Sequence, residues 1–346
     1  MWRQDTTATA GSRTKLSRDA GFWALKSAVI DRMSIARVAE NLGTAWHTVN
    51  DAAFETGSEL LINDPARFEG VRVLGVDEHV WSHTAGGSKY ITVIIDLTPV
   101  RDGTGASRLL DMLPGRSKKV LKTGLDQQEQ GFRDRIETVA MDGFTSFKTA
   151  AAKEIPQAVA VMDPSHVLAQ ADDAQDRCRQ RIQQTTCGHR GRSGDPLYRI
   201  HRLLRTSADL LTDRQCGRLN SVFAAEEHAA AEATWGIYQR IVQAYRNPDR
   251  VTAKQQLTAL IQDLADNVPA SLTEVITLGR TLKHRAGDVL SYFDRPGTSN
   301  GPTEATNSRL EHHRGTALDL RDLTHYILRP LLNTGGFRPL LHRQMR

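Results

Sequence analysis

The spacing of apolar and polar positions changes twice along this chain. From Trp23 to Asp31 (WALKSAVID) apolar residues recur at helical spacing, after a lead, Met1 to Arg18, whose Thr, Ser, Arg and Lys content reads as flexible. Structure is therefore expected to begin near Asp19. The segment Ser34 to Ala53, SIARVAENLGTAWHTVNDAA, predicts two short helices. Ser34 caps the first, which carries Ile35, Val38 and Ala39; Gly43 gives a left-handed turn; Thr44 caps the second, whose Val49 and Ala52 face back onto the first. Ala39, Gly43 and Val49 have the spacing of a helix-turn-helix, a frame in which Ala45, Trp46, His47, Thr48 and Asn50 point outward, where groove-reading side chains belong. A plain helical hairpin has the same pattern, so DNA binding does not follow from this segment alone.

After Phe68-Glu69-Gly70 the period shortens. Val71 to Val76, Tyr90 to Leu97 and Ser107 to Leu113 are β-rich runs separated by turns at Gly86-Gly87 and Gly103-Thr104-Gly105, so they predict a three-stranded meander. A helical stretch through Lys118 to Arg135, a buried strand ending at Asp142, a helix from about Phe144 to Glu154 and a short strand at Val159 to Met162 follow. This is the element order of a ribonuclease-H-like α/β fold, a mixed sheet with flanking helices in which the first and fourth strands are neighbours. Downstream of Ser165 no strand pattern returns for over a hundred residues. Val167 to Gln184, Pro196 to Thr206, Leu219 to Tyr245 and Thr252 to Asn267 carry helical spacing instead, as an all-helical insertion into the α/β fold would. The expected organisation is a lead over 1–18, a helix-turn-helix over 19–66, a catalytic domain over 67–185 and 296–346, and a helical insertion over 186–295.

Composition narrows the class of protein. The chain has 346 residues, enough for two or three domains, and is ordinary in apolar and charged content. No apolar run approaches a membrane span, and the first residues lack the apolar stretch of a signal peptide, so a cytoplasmic, nucleoid-associated protein is expected. Cys178, Cys187 and Cys216 are odd in number and lack C-x-x-C spacing, which argues against a disulfide framework and a zinc ribbon. A formal net charge of +5 has the sign expected of a polyanion-binding protein. Within the helical block Arg177, Arg179, Arg181, His189, Arg190 and Arg192 form the densest basic cluster and could neutralise phosphates, although interleaved Asp172, Asp173 and Asp176 suit a solvated helix face equally. No Walker-type glycine loop is present, so no nucleotide cofactor is implied.

Three acidic residues carry the candidate chemistry. Asp77 follows the run Val71 to Val76, Asp142 follows Thr138 to Met141, and Glu304 follows Asn300-Gly301-Pro302-Thr303, near the start of a helix where the dipole favours a carboxylate. Two carboxylates at strand ends and a third on a helix can converge on divalent metal, as phosphodiester hydrolysis or exchange requires. Glu78, His79 and Asn307 flank them and could orient ligands or water. Asp163, also at a strand end, ranks below Asp142 on element order, and Asp96 has the position of a turn-satisfying Asp. Glu311 competes with Glu304 but lies about 10 Å further along the helix at 1.5 Å per residue.

The frames GVDEHVWSH, VAMDGFTSFKTA, VMDPSHV, SYFDRPGTSNGPTEATNSRLEHHRG and LRDLTHYILRPLLNTGGFRP resemble the DDE transposases of bacterial insertion sequences, specifically the ISL-three family, from about Asp19 to the C-terminus. The resemblance implies that Asp77, Asp142 and Glu304 are the DDE triad and metal ligands, with Mg²⁺, or Mn²⁺ in its place, as cofactor. It implies two metal ions about 3.5–4 Å apart that activate water at each transposon end, after which the freed 3′-hydroxyl attacks target DNA. The implied partners are double-stranded DNA, as terminal inverted repeats and target, and at least one further copy of the chain. Family members usually begin with a Cys-rich, zinc-ribbon-like segment that this sequence lacks, which implies a copy shortened at its start or a start placed downstream. Asp319 and Asp322, in ALDLRDL, are more acidic than a DNA-facing helix calls for, as in a decayed element. A regulator that binds DNA without cutting it, or another ribonuclease-H-like nuclease such as a resolvase, are the alternatives.

Overall fold

The computed structural model describes residue 9 and residues 15–82, 89–143, 145–316 and 322–343. Most of the 1–18 lead, the Gly86-Gly87 turn, Phe144 and Asp319 lie outside the described residues. The chain divides into two compact units, one of residues 1–139, 145–158 and 302–346 and the other of residues 140–144 and 159–301.

The first unit opens with α1 (Arg18–Val29), α2 (Ile35–Leu42) and α3 (Trp46–Gly57). Ser34 caps α2 by accepting the Arg37 N–H at 3.2 Å, and Gly43 ends it at φ 59°, a left-handed conformation that glycine adopts without a Cβ penalty. Thr44 does not cap α3: that position falls to Ala45, whose methyl group cannot accept a hydrogen bond. Ala24, Ile35, Val38, Ala39, Val49 and Ala53 form one small core among these helices.

Three strands follow: β1 (Val73–Val80), β2 (Tyr90–Asp96) and, after the single turn α4 (Thr98–Arg101), β3 (Arg108–Pro114). They pair antiparallel, with a bulge opposite Ile94 and Ile95. β1 runs on past the apolar stretch through Asp77, Glu78 and His79, because its backbone partners on β2 continue to the Val80–Tyr90 pair. Asp77 therefore lies within a strand and not at its end. The Lys118 to Arg135 stretch is two helices, α5 (Lys118–Asp126) and α6 (Gln130–Arg135); β4 (Thr138–Met141) and α7 (Thr145–Glu154) come next. The sheet order is β3-β2-β1-β4-β5, which puts the first strand beside the fourth. A mixed sheet with many flanking helices is compatible with the ribonuclease-H-like expectation.

In the second unit β5 (Val159–Met162) leads into α8 (Pro164–Cys187), the short α9 (Pro196–Arg199) and α10 (His201–Leu204), and then α11 (Asp213–Phe223), α12 (Ala229–Arg246), α13 (Arg250–Asp266), α14 (Thr273–His284) and α15 (Ala286–Asp294). Its larger core joins Met162, Val167, Ile241, Leu257, Val275 and Val289; a smaller one surrounds Cys178, Leu204 and Phe223. The chain closes with α16 (Gly301–Thr316), α17 (Leu323–Thr334) and α18 (Arg338–Arg343). Leu332 of α17, Phe337 and Leu341 share a core with Leu25, Phe54 and Leu61 of the N-terminal helices. Asp322 caps α17, accepting the Thr324 N–H at 2.7 Å and the His325 N–H at 3.2 Å. Those backbone donors, His325 first, lower its pKa, so the acidity of this segment has a local structural use.

Candidate active site

In the first unit the alternation of β1 sends Asp77 and His79 to one face of the strand, and both are buried. Asn307 of α16 donates its amide to Asp77 Oδ2 at 2.6 Å and reaches the Glu78 carbonyl at 3.4 Å, while Asp77 Oδ1 accepts the Glu78 N–H at 2.7 Å. Two residues on, His79 Nε2 meets the Tyr326 hydroxyl at 2.7 Å, and that hydroxyl donates to the Leu310 carbonyl at 3.4 Å. One face of β1 is thus held to α16 by Asn307 and to α17 by a fully buried tyrosine. Glu78 faces the other way and takes Arg116 at 3.2 Å. Glu304 is exposed in the first turn of α16, one turn before Asn307 on the same side of the helix.

The second unit holds Asp142. Fully buried Asn300 donates its amide to Asp142 Oδ1 at 3.4 Å and its backbone N–H to Asp163. Asp163 also accepts the Ser299 hydroxyl at 2.8 Å and caps α8 through the Ser165 N–H at 2.7 Å, so its oxygens are committed to structure. Next to Asp142, the Gly143 carbonyl accepts from Arg285 Nη1 at 2.9 Å, and Arg285 is buried against Asp288 at 2.6 Å. A Cβ on Gly143 would stand 2.2 Å from His166 Nε2, so a larger residue there would require the imidazole or the turn to shift. Asp96 is spent locally on the Thr98 N–H and Arg108.

Sequence reasoning missed Tyr326, Arg285 and the side chain of Asn300. Each sits in a helical or turn segment where only its pairing across the fold marks it. The basic and outward-facing candidates fare unequally. Trp46 and His47 are exposed at the start of α3, but Thr48 and Asn50, the third and fifth residues of that helix, are buried. Arg179 is also buried, paired with Asp176 at 2.7 Å, and Arg181 grips Glu274 with both oxygens. Arg190 and Arg192 remain exposed.

A model for the DDE transposases of the ISL3 type, described as "Transposase", matches residues 74–330, about three quarters of the chain. The chain belongs to the ISL3 transposase family. A transposase for the insertion sequence element IS1001 of Bordetella parapertussis is 27% identical over 205 residues, 58% of this chain and 47% of that protein. The chain thus spans about half the length of this relative. The segment that matches the family contains Asp77, Asp142 and Glu304 and begins after α3, so the N-terminal helices are outside it.

DDE transposases generally use a divalent metal. Asn307 Oδ1 and Asn300 Oδ1 are buried oxygens with no hydrogen-bond partner among the described residues, each on an amide that donates to a candidate carboxylate. A buried acceptor left unmet is costly, and an oxygen-only donor set is what Mg²⁺ or Mn²⁺ prefers. Among the described residues no three His, Cys, Asp or Glu side chains are gathered closely enough to hold a metal ion. Each unit holds one carboxylate-and-amide pair, Asp77 with Asn307 in the first and Asp142 with Asn300 in the second. No helix among the described residues is long and apolar enough to cross a membrane.

Proposed function

We propose that this chain is a DDE transposase that cleaves phosphodiester bonds at insertion-sequence ends and transfers the 3′-hydroxyl ends to target DNA. Asp77, Asp142 and Glu304 would hold the metal. A divalent cation, when bound, supplies Lewis-acid stabilisation of phosphoryl charge and lowers the pKa of water. The chain's own part is positional. Asn307 fixes the Asp77 carboxylate through its 2.6 Å hydrogen bond, and Arg285 holds the turn after Asp142 through the Gly143 carbonyl. Trp46 and His47 on α3, read as the second helix of a helix-turn-helix, and the exposed Arg190 and Arg192 would contact DNA. Two DNA ends would require at least two protomers.

The observation that carries this reading is the buried Asp77 on the sheet's central strand, tied to a helix that presents Glu304 one turn away, within a segment that matches the family. The test is cleavage of DNA bearing the element's ends with Mg²⁺ or Mn²⁺, comparing the intact chain with Asp77→Asn and Asp142→Asn. Cleavage present in the intact chain, and abolished in both variants with DNA binding retained, is expected. Binding without cleavage by the intact chain would replace the reading with a regulatory copy.

A further inference from the structure

We propose that a cleft in the first unit, lined by the N-terminal helices α1 to α3 and by α16, α17 and α18, is a binding site for an unpaired DNA strand. The cleft, a cavity of about 920 Å³, has Arg32, Arg309, Arg329 and Arg338 in its wall and no Asp or Glu among the described residues that line it. Among the described residues none of the four guanidinium groups has a hydrogen-bond or ion-pair partner. Four cations around one cavity, with no carboxylate among the described residues that line it, repel one another, and an anion is the ligand that relieves this.

Two of the four have unusual local settings. Arg329 is half-buried, and desolvation alone pushes its guanidinium pKa down, with no carboxylate to offset it. Arg32 is the one non-glycine residue with positive φ among the described residues, at 56°. A residue with a Cβ is disfavoured there, and an Arg has no local hydrogen bond to gain by it as Asn or Asp would.

The lining selects among anions. Met33 and Pro339, neither of them buried, line the cavity together with the core residues Leu25, Leu332 and Phe337, so apolar side chains and guanidinium groups border the same space. A nucleotide of an unpaired strand matches both, its base against the apolar lining and its phosphate on arginine. Duplex DNA keeps its bases stacked inside and would bring only phosphates to the rim. The inference rests on the transposase reading, because that reaction exposes strand ends, and it concerns a surface that holds none of the three candidate carboxylates.

The experiment is fluorescence anisotropy of the full chain with a labelled single-stranded oligonucleotide of the element's end, in EDTA, over a salt series. A duplex and an acidic peptide serve as the other probes. The variants are Arg329→Gln, Arg309→Gln/Arg329→Gln and Arg329→Lys, each checked for an unchanged melting curve. The double glutamine variant is expected to bind the single strand roughly tenfold more weakly, with a log–log salt slope smaller by about 1.4, the value for two lost phosphate contacts, while Arg329→Lys keeps most of the slope. Single-strand affinity untouched by the variants, arginine dependence confined to the duplex, or arginine dependence seen only with the acidic peptide would each overturn the proposal. Metal-dependent cleavage is scored separately. If cleavage is absent but the arginine-dependent single-strand binding stands, the functional reading fails and the site survives; cleavage with no such binding gives the reverse.

Discussion

Gly143 is where a single residue's size has most to say about the candidate site. Asp142 precedes it, Arg285 holds its carbonyl, and any Cβ there would press on His166 Nε2 at 2.2 Å. Gly143→Ala should therefore shift the turn or displace the imidazole, at a stability cost of about 1–3 kcal/mol, typical of overpacking. If the clash is the cause, His166→Ala in the same chain should return most of that loss, and a double-mutant cycle by denaturant unfolding would read the coupling directly. Independent, additive losses would place the cost elsewhere. The cysteines give a second check at this scale. Burial raises the Cys178 thiol pKa, whereas Cys187 is exposed. Alkylation of the native chain at neutral pH should label Cys187 first and leave Cys178 unmodified until unfolding, as mass spectrometry of timed samples would show.

At the level of elements, Tyr326 joins three of them: its hydroxyl meets His79 of β1 and donates to the Leu310 carbonyl of α16 from its place on α17. Tyr326→Phe keeps the ring and removes this bridge, which should cost about 1–3 kcal/mol because the donor and acceptor it leaves are buried. Unfolding midpoints measure that, and a wild-type midpoint would mean that apolar packing alone holds α17. None of this was legible in the sequence, since a tyrosine in THYILRPLL reads only as one more core residue of an amphipathic helix. What the sequence did carry was local. Ser34 and Gly43 mark the ends of α2 by their own backbone chemistry, and the Val- and Ile-rich runs mark the strands. Thr48 and Asn50 fail for the complementary reason: which side of a short helix faces the core is decided by its neighbours, and a polar residue can be rolled inward when Val49 and Ala53 set the packing. Asp77 illustrates the same limit, because a strand lasts as long as its partner supplies hydrogen bonds and not merely while its side chains are apolar. The pairing of Asp77 with Asn307 spans 230 residues and is visible only in the fold.

For the whole molecule, the presence of separate cores in two compact units makes acid stability a way to address them one at a time. In the second unit Arg181 of α8 meets Glu274 of α14 through both carboxylate oxygens, at 2.7 and 3.1 Å, and Glu274 is only 11% exposed. Burial opposes the charge on Glu274, but the hydrogen bonds from Arg181, joined by its own backbone, outweigh that and hold its pKa below the usual range. A carboxylate whose folded pKa lies below its unfolded one stabilises the fold fully above the unfolded value, and that stability is lost as pH falls through the folded value. The relevant window is thus below about pH 4.5, the ordinary Glu value. Because the Arg181 side chain is 40% exposed, solvent screening limits the pair to about 1 kcal/mol. Hydrogen exchange followed by mass spectrometry should show peptides of residues 159–301 losing protection as pH falls through this window, after correction for the intrinsic exchange rate. In Glu274→Gln the same peptides should begin less protected at pH 7, by about the worth of that ion pair, and show a shallower acid dependence. An acid profile identical in the two chains would mean that other carboxylates govern the acid opening of the helical unit. The Arg181–Glu274 bridge would then be a contact without energetic consequence, and Arg181 could be released to solvent or DNA at little cost.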